Sequence, residues 1–167
     1  MLRREVFALS CCLMVMLAGC ATPPPAATPT RHQTAVPMDF PQLQAALEQI
    51  DGIDIAAGTP LRFSYPVDSL FGAAAVLPMP GGVAQLDRLV NLLKNAGLKW
   101  QMKVRAATGY GPEYDRQLAE ARLRNLNFYF SGSGLDMKLL TPQALAEGGA
   151  PLEFTLLPPP TNRPEGL

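Results

Sequence analysis

From Leu98 to Ala107 the chain alternates with a period of two. Leu98, Trp100, Met102, Val104 and Ala106 fall on one side, and Lys99, Gln101, Lys103 and Arg105 on the other. An extended strand places every second residue on one face, so this stretch predicts a strand dry on one side and wet on the other. A one-sided strand needs cover, and the flanking segments can supply it. Over 81–96, Val83, Leu86, Leu89, Val90 and Leu93 share a helical face opposite Arg88, Asn91 and Asn95, and Gly97 is placed to stop the helix. A second helix is predicted from Pro112 or Glu113 to Phe130, with proline tolerated in its first turn and Ser131-Gly132-Ser133-Gly134 ending it.

Leu61 to Tyr65 alternates until Pro66 closes it, and Leu152 to Leu156 reads as a last strand. Between them lie a short apolar piece, Met137 to Leu140, and a predicted brief helix after Thr141-Pro142. Upstream, Phe40, Leu43, Leu47 and Ile50 mark one face of a short helix over 39–50. Asp39 is its cap, Gln42 stands three residues on, and Asp51-Gly52 follows it. Such a helix is marginal alone and is expected to pack on the domain that follows. Strand, helix, strand, helix, strand gives an α+β fold, a βαβαβ sandwich with a small mixed sheet and two main helices on one face.

The amino terminus is of another kind. Arg3 and Arg4 precede an uncharged run from Val6 to Leu17, and Ala18 and Gly19 follow. This is the layout of a secretory signal, too short to cross a bilayer as a mature helix. Leu17-Ala18-Gly19-Cys20 resembles the lipobox of bacterial lipoproteins. That resemblance implies cleavage before Cys20, lipid on Cys20 and, with Ala21 next, sorting to the outer membrane. Cys11 and Cys12 then leave with the signal, so neither a disulfide nor a cysteine metal site is expected. Without Arg3, Arg4 and Glu5 the chain keeps 12 basic and 13 acidic residues, a net of −1 that points to no nucleic acid. Residues 21–37 hold five prolines and the only histidine, His32. They read as an extended tether which, at about 3.1 Å per residue, reaches roughly 50 Å. The expected organisation is a signal over 1–19, lipidated Cys20 and tether over 20–38, a short amphipathic helix over 39–57, a compact domain over 58–157 and a proline-rich tail over 158–167.

One polar residue stands out in the second helix. At about 100° per residue, Leu118, Arg122 and Leu126 fall within roughly 80° of one another, so an arginine occupies the inner side. Asn125 and Tyr129 share that sector. The helix follows the turn Thr108-Gly109-Tyr110-Gly111, whose amides, with those of the helix start, can face an anion. Arg122 can fork onto a ligand carboxylate through two parallel bonds. It can equally pair with Glu113 or Asp115, which are also ordinary helix-start charges, or cap loop carbonyls.

Four strings resemble the OmpA-like peptidoglycan-associating domain. Leu70-Phe71-Gly72-Ala73-Ala74-Ala75-Val76-Leu77-Pro78 is similar to its phenylalanine, small-residue, leucine, proline lead-in to the first helix. Leu86-Asp87-Arg88-Leu89 with Leu92-Leu93-Lys94 is similar to its "L-D-x-L…L" helix. Tyr114 to Arg122 resembles "Y-N-x-x-L-S-x-x-R", and Leu152-Glu153-Phe154 the closing "V-E-F" strand. The resemblance covers roughly 60–157. It implies that Arg122, with Thr108, Gly109, Gly111 and Asp115 around it, grips the diaminopimelate stem peptide of peptidoglycan. The family's turn also carries an aspartate for the ligand's ammonium, and Ala106 to Gly111 holds none. The serine before the arginine is replaced by Ala119, and Ala150-Pro151 stand where a basic pair is usual.

The folded part has no histidine and no nucleophile–base pair, so no enzyme is expected, nor any metal or cofactor. The reading is an outer-membrane lipoprotein that anchors or links the envelope through weakened peptidoglycan binding. The alternative is a structural subunit of an envelope-spanning secretion or conjugation machine, of the Dot/Icm kind, using the domain for contacts with protein partners.

Overall fold

The computed structural model describes residues 38–66 and 69–159. The predicted signal, Cys20, the tether to residue 37 and the tail from residue 160 lie outside them.

Helix α1 runs Phe40–Glu48. Asp39 Oδ1 accepts from the Gln42 amide at 2.8 Å, and the Gln42 side chain accepts from the Asp39 amide at 3.4 Å, closing the capping box expected from the sequence. At nine residues the helix depends on burial, which Leu43, Leu47 and, just past its end, Ile50 provide. Phe40, assigned to the same face, is exposed instead. Strand β1, Asp54–Ala56, follows. Three residues are too few to show a period, and the sequence reading has no strand there.

β2 (Arg62–Tyr65), helix α2 (Pro80–Ala96), β3 (Trp100–Arg105), helix α3 (Pro112–Gly132), β4 (Leu140–Leu145) and β5 (Leu152–Leu156) complete the fold. The sheet has the order β1-β2-β5-β3-β4. β3 and β4 are parallel, and the other neighbours are antiparallel. The expected α+β class, a small mixed sheet covered by helices, is the one found. The predicted helix after Thr141-Pro142 is not: those residues belong to β4. Threonine followed by proline is a good helix opening, but pairing with β3 in register Met102↔Pro142 overrides it. An edge strand tolerates a proline that a central one would not.

The sheet's inner face is built in rows. Phe63, Phe154 and Met102 lie side by side across β2, β5 and β3, and Tyr65, Leu152 and Val104 form the next row. All six are buried. The Phe63 and Phe154 rings stack at 5.0 Å, and Trp100 meets Phe63 edge-on at 5.4 Å. Each such ring contributes on the order of 1.5–3 kcal/mol by leaving water. These residues share one hydrophobic cluster with side chains of all three helices. The outer face is polar, and there Glu153 pairs with Arg105 at 3.0 Å and Lys103 at 3.7 Å.

Gly97 ends α2 at φ +62°, its amide donating to Leu93 O at 3.1 Å. Val83, predicted inside, is partly exposed, and Gly82 takes the close contact. A Cβ on Gly82 would stand 2.8 Å from Leu70 O. No helix among the described residues is long and apolar enough to cross a membrane.

Candidate functional site

The turn between β3 and α3 is shaped by two glycines with positive φ, Gly109 at +81° and Gly111 at +116°. An L side chain adopts either value only with strain. Gly111 is also the N-cap of α3, so no side chain caps the helix start. Pro112 in the first position has no N–H and the Asp115 amide is taken by Gly111 O, so the amides left without an acceptor at this end are those of Glu113 and Tyr114, in a first turn that also carries the Glu113 and Asp115 carboxylates.

Asp115 closes the turn from the helix side. Its Oδ1 accepts from the Thr108 amide at 2.9 Å and from the Thr108 hydroxyl at 2.5 Å, while its own amide donates to Gly111 O at 3.0 Å. The Tyr110 amide donates to Thr108 Oγ1 at 3.3 Å. Asp115 is 8% exposed, and the two bonds from Thr108 hold its carboxyl below the usual carboxylate range despite burial. Thr108, Gly109, Gly111 and Asp115 are therefore one local unit.

Arg122 lies seven residues beyond Asp115, two helical turns along the same face, and is 4% exposed. Its Nε donates to Ala75 O at 2.8 Å, Nη1 to Arg105 O at 3.1 Å, and Nη2 to Gly72 O at 2.9 Å and Ala73 O at 3.3 Å. The guanidinium carbon sits 4.6 Å from the centre of the Phe71 ring. Burial pulls the guanidinium below its ordinary value while Tyr114 and Asp115 oppose the shift, and it remains a cation. Of the alternatives left open by the sequence, contact with loop carbonyls is the one present in this structure. The cradle had a readable signal: Gly72-Ala73-Ala74-Ala75 carries no bulk, so its backbone can close on the helix.

The other candidate partner, Glu113, is engaged elsewhere. Its Oε2 lies 2.6 Å from Arg116 Nη2, and its Oε1 accepts from Gln117 at 2.7 Å. Sequence reasoning passed over Tyr110 and Tyr114. Their rings meet edge to face at 5.3 Å and are 74% and 41% exposed. It also passed over a groove of about 340 Å³ between the lead-in to α2 and the second half of α3. Leu77, Pro78, Val83, Leu126 and Tyr129 line it, and Phe128, 81% exposed, stands at its rim. The Tyr129 hydroxyl donates to Asp87, and partial burial followed by that bond pushes its pKa up to about 12. No group of three metal-ligating side chains occurs among the described residues.

A mixed five-stranded sheet with its helices gathered over one face is the fold of solved MotB-like domains. The chain is similar to a MotB-like protein from Desulfovibrio vulgaris, with a TM-score of 0.57 and 18% identity over 70% of this chain and 87% of that one. It is also similar to the cell wall anchor of the T6SS from Pseudomonas aeruginosa, at 0.54 and 11% over 72% of this chain and 98% of that one. The periplasmic domain of Helicobacter pylori MotB matches at 0.51 and 9%, over 63% and 81%. At these identities the likeness concerns the fold. No known family model matches the sequence, and no curated protein is detectably similar to it.

Proposed function

We propose that the chain is a lipoprotein of the outer membrane, anchored through Cys20 and facing the periplasm, whose domain links the membrane to peptidoglycan. The signal layout, the Leu17-to-Cys20 string and the proline-rich tether support the anchoring half. The single observation that supports the wall-binding half is the uncapped start of α3 beside the Thr108–Gly111 turn, where the Glu113 and Tyr114 amides have no acceptor and Asp115 holds the turn in shape. Anionic stem-peptide carboxylates suit such a surface. Arg122 enters this reading as the residue that fixes the floor of the site, since all three of its nitrogens already donate to main-chain oxygens. With no aspartate in the turn for the ligand's ammonium, binding is weak. Sacculus pull-down of residues 39–167 tests it. Retention in the pellet, competed by free stem peptide, supports the reading, and a folded domain that stays in the supernatant at every sacculus concentration overturns it.

A second reading, a subunit of an envelope-spanning machine that uses the domain for protein contacts, is favoured by the exposed groove and by Phe128. It expects Phe128→Ser to abolish co-purification of envelope partners without altering sacculus retention.

A further inference from the structure

The groove beside Phe128 is walled by apolar side chains, and two of them, Leu77 and Phe128, are 66% and 81% exposed. A contiguous apolar surface of this kind marks a contact. The course of the chain after β5 indicates what covers it. The Leu157 amide donates to Lys99 O at 2.8 Å, so the chain leaves the sheet beside the start of β3, two residues after Gly97 ends α2. The groove reaches the same end of the domain. Lys94, in the last turn of α2, donates to Ser133 O at 3.1 Å, and Gly132 and Ser133 line the groove. Pro160 to Leu167, eight residues, follow the last described one. In an extended proline-type conformation they span about 25 Å at roughly 3.1 Å per residue. The wall of the groove on α3, from Asn125 to Ser133, is about 12 Å long at roughly 1.5 Å per residue. Half of the tail thus suffices for the groove, and the other half bridges to it.

Chemistry selects the tail as well as length. Three residues per turn put Pro164 and Leu167 on one side of such a chain, and Arg163 and Gly166 on another. Extended segments carrying proline dock into grooves with aromatic walls, losing little chain entropy because the ring already fixes φ. Phe128 and Tyr129 supply the aromatic wall. The charges match too. Tyr129 donates its hydroxyl to the exposed carboxylate of Asp87, which makes no ion pair among the described residues. Arg163 is the one cation of residues 160–167. Covalent attachment holds the tail at an effective concentration on the order of millimolar, enough to populate a contact too weak for separate molecules. We propose that residues 163–167 fold back into the groove, with Pro164 and Leu167 against Phe128 and Leu77 and Arg163 paired with Asp87. This contact is independent of wall binding at the turn between β3 and α3. It sets a condition on protein contacts through the same groove, since an incoming segment first displaces the tail.

The test uses the chain from residue 21 onward, which contains every described residue and, without Cys11, Cys12 and Cys20, no cysteine. Gly166→Cys then takes a single nitroxide label. Paramagnetic broadening of NMR signals is expected at Leu77, Val83 and Phe128, and not at Lys103 or Gln143 on the outer face of the sheet, at every protein concentration. Arg163→Glu should lower that broadening about threefold, Asp87→Lys added to it should restore it, and salt should weaken the wild-type contact, as for an exposed ion pair. A chain ending at Pro159 should shift the Leu77 and Val83 methyl signals. Circular dichroism checks that each variant is folded. Broadening spread evenly over the surface, or groove signals unmoved by the truncation, overturns the proposal. So does an Arg163→Glu variant without effect, or one that Asp87→Lys fails to restore. Broadening that grows with protein concentration overturns it too, because the tail would then enter the groove of a second copy.

Discussion

Replacing Arg122 with alanine removes the clamp between α3, the end of β3 and the loop leading to α2. Two of its four bonds are short, to Ala75 O at 2.8 Å and Gly72 O at 2.9 Å, one is ordinary at 3.1 Å, and the fourth is long at 3.3 Å. A bond from a charged donor contributes about 1.5–3 kcal/mol, and the Phe71 ring face adds about 0.5–2 kcal/mol. Against this stands relief from burying a cation, several kcal/mol in the opposite sense. The expected net loss is about 3–4 kcal/mol, a large part of the roughly 5–15 kcal/mol a domain has, and lowers Tm by roughly 10 °C or more. Urea titration followed by circular dichroism and by Trp100, the only tryptophan and fully buried, measures it. Arg122→Lys should recover only a fraction, because one ammonium cannot serve carbonyls in three directions. If Arg122→Ala unfolds within about 0.5 kcal/mol of wild type, the guanidinium holds nothing and the structural reasoning fails. Its carbonyl contacts would then be incidental, and the arginine would be free to fork onto a ligand.

Other expectations are smaller in scope. Gly82→Ala should cost about 1–3 kcal/mol because its Cβ meets Leu70 backbone at 2.8 Å, while Gly81→Ala, with open space, should be neutral or stabilise by up to about 1 kcal/mol; paired thermal melts read the contrast. Asp115 titrates lower when folded than unfolded, so its stabilisation is present above the ordinary carboxylate pKa of about 3.9 and lost as pH falls through the lower folded value. Asp115→Asn should accordingly flatten the acid limb of a stability–pH curve below about pH 4, and an unchanged limb would refute the assignment. Phe128→Ser should leave urea stability within about 0.5 kcal/mol, since the ring is mostly in water already.

What the sequence disclosed follows from how local each signal is. β3 was readable because ten residues repeat a period of two, and α2 because its apolar stripe ends at a glycine that takes the left-handed conformation. β4 was not, since Thr141-Pro142 carries a helix opening and only the neighbouring β3 converts it to a strand. β1 is too short for any pattern, and Val83 lost its place to Gly82 through the close approach of Leu70. At the site, periodicity put Arg122 on the inner face, but its partners lie 17 to 50 residues away, beyond any spacing rule. Asp115 looked like a helix-start charge and is bonded back to Thr108. Tyr110 and Tyr114 had no period to announce them.

The two borders of the sheet set terms for any macromolecule that joins it. At one side is β1, three residues long, and at the other β4, interrupted by Pro142. Neither presents the long, regular row of amides and carbonyls that an incoming extended peptide needs to dock alongside. Among the described residues, strand addition is therefore disfavoured at both borders. A macromolecule that binds this domain then reads side chains, loops and helix faces, a mode in which affinity is tuned one residue at a time.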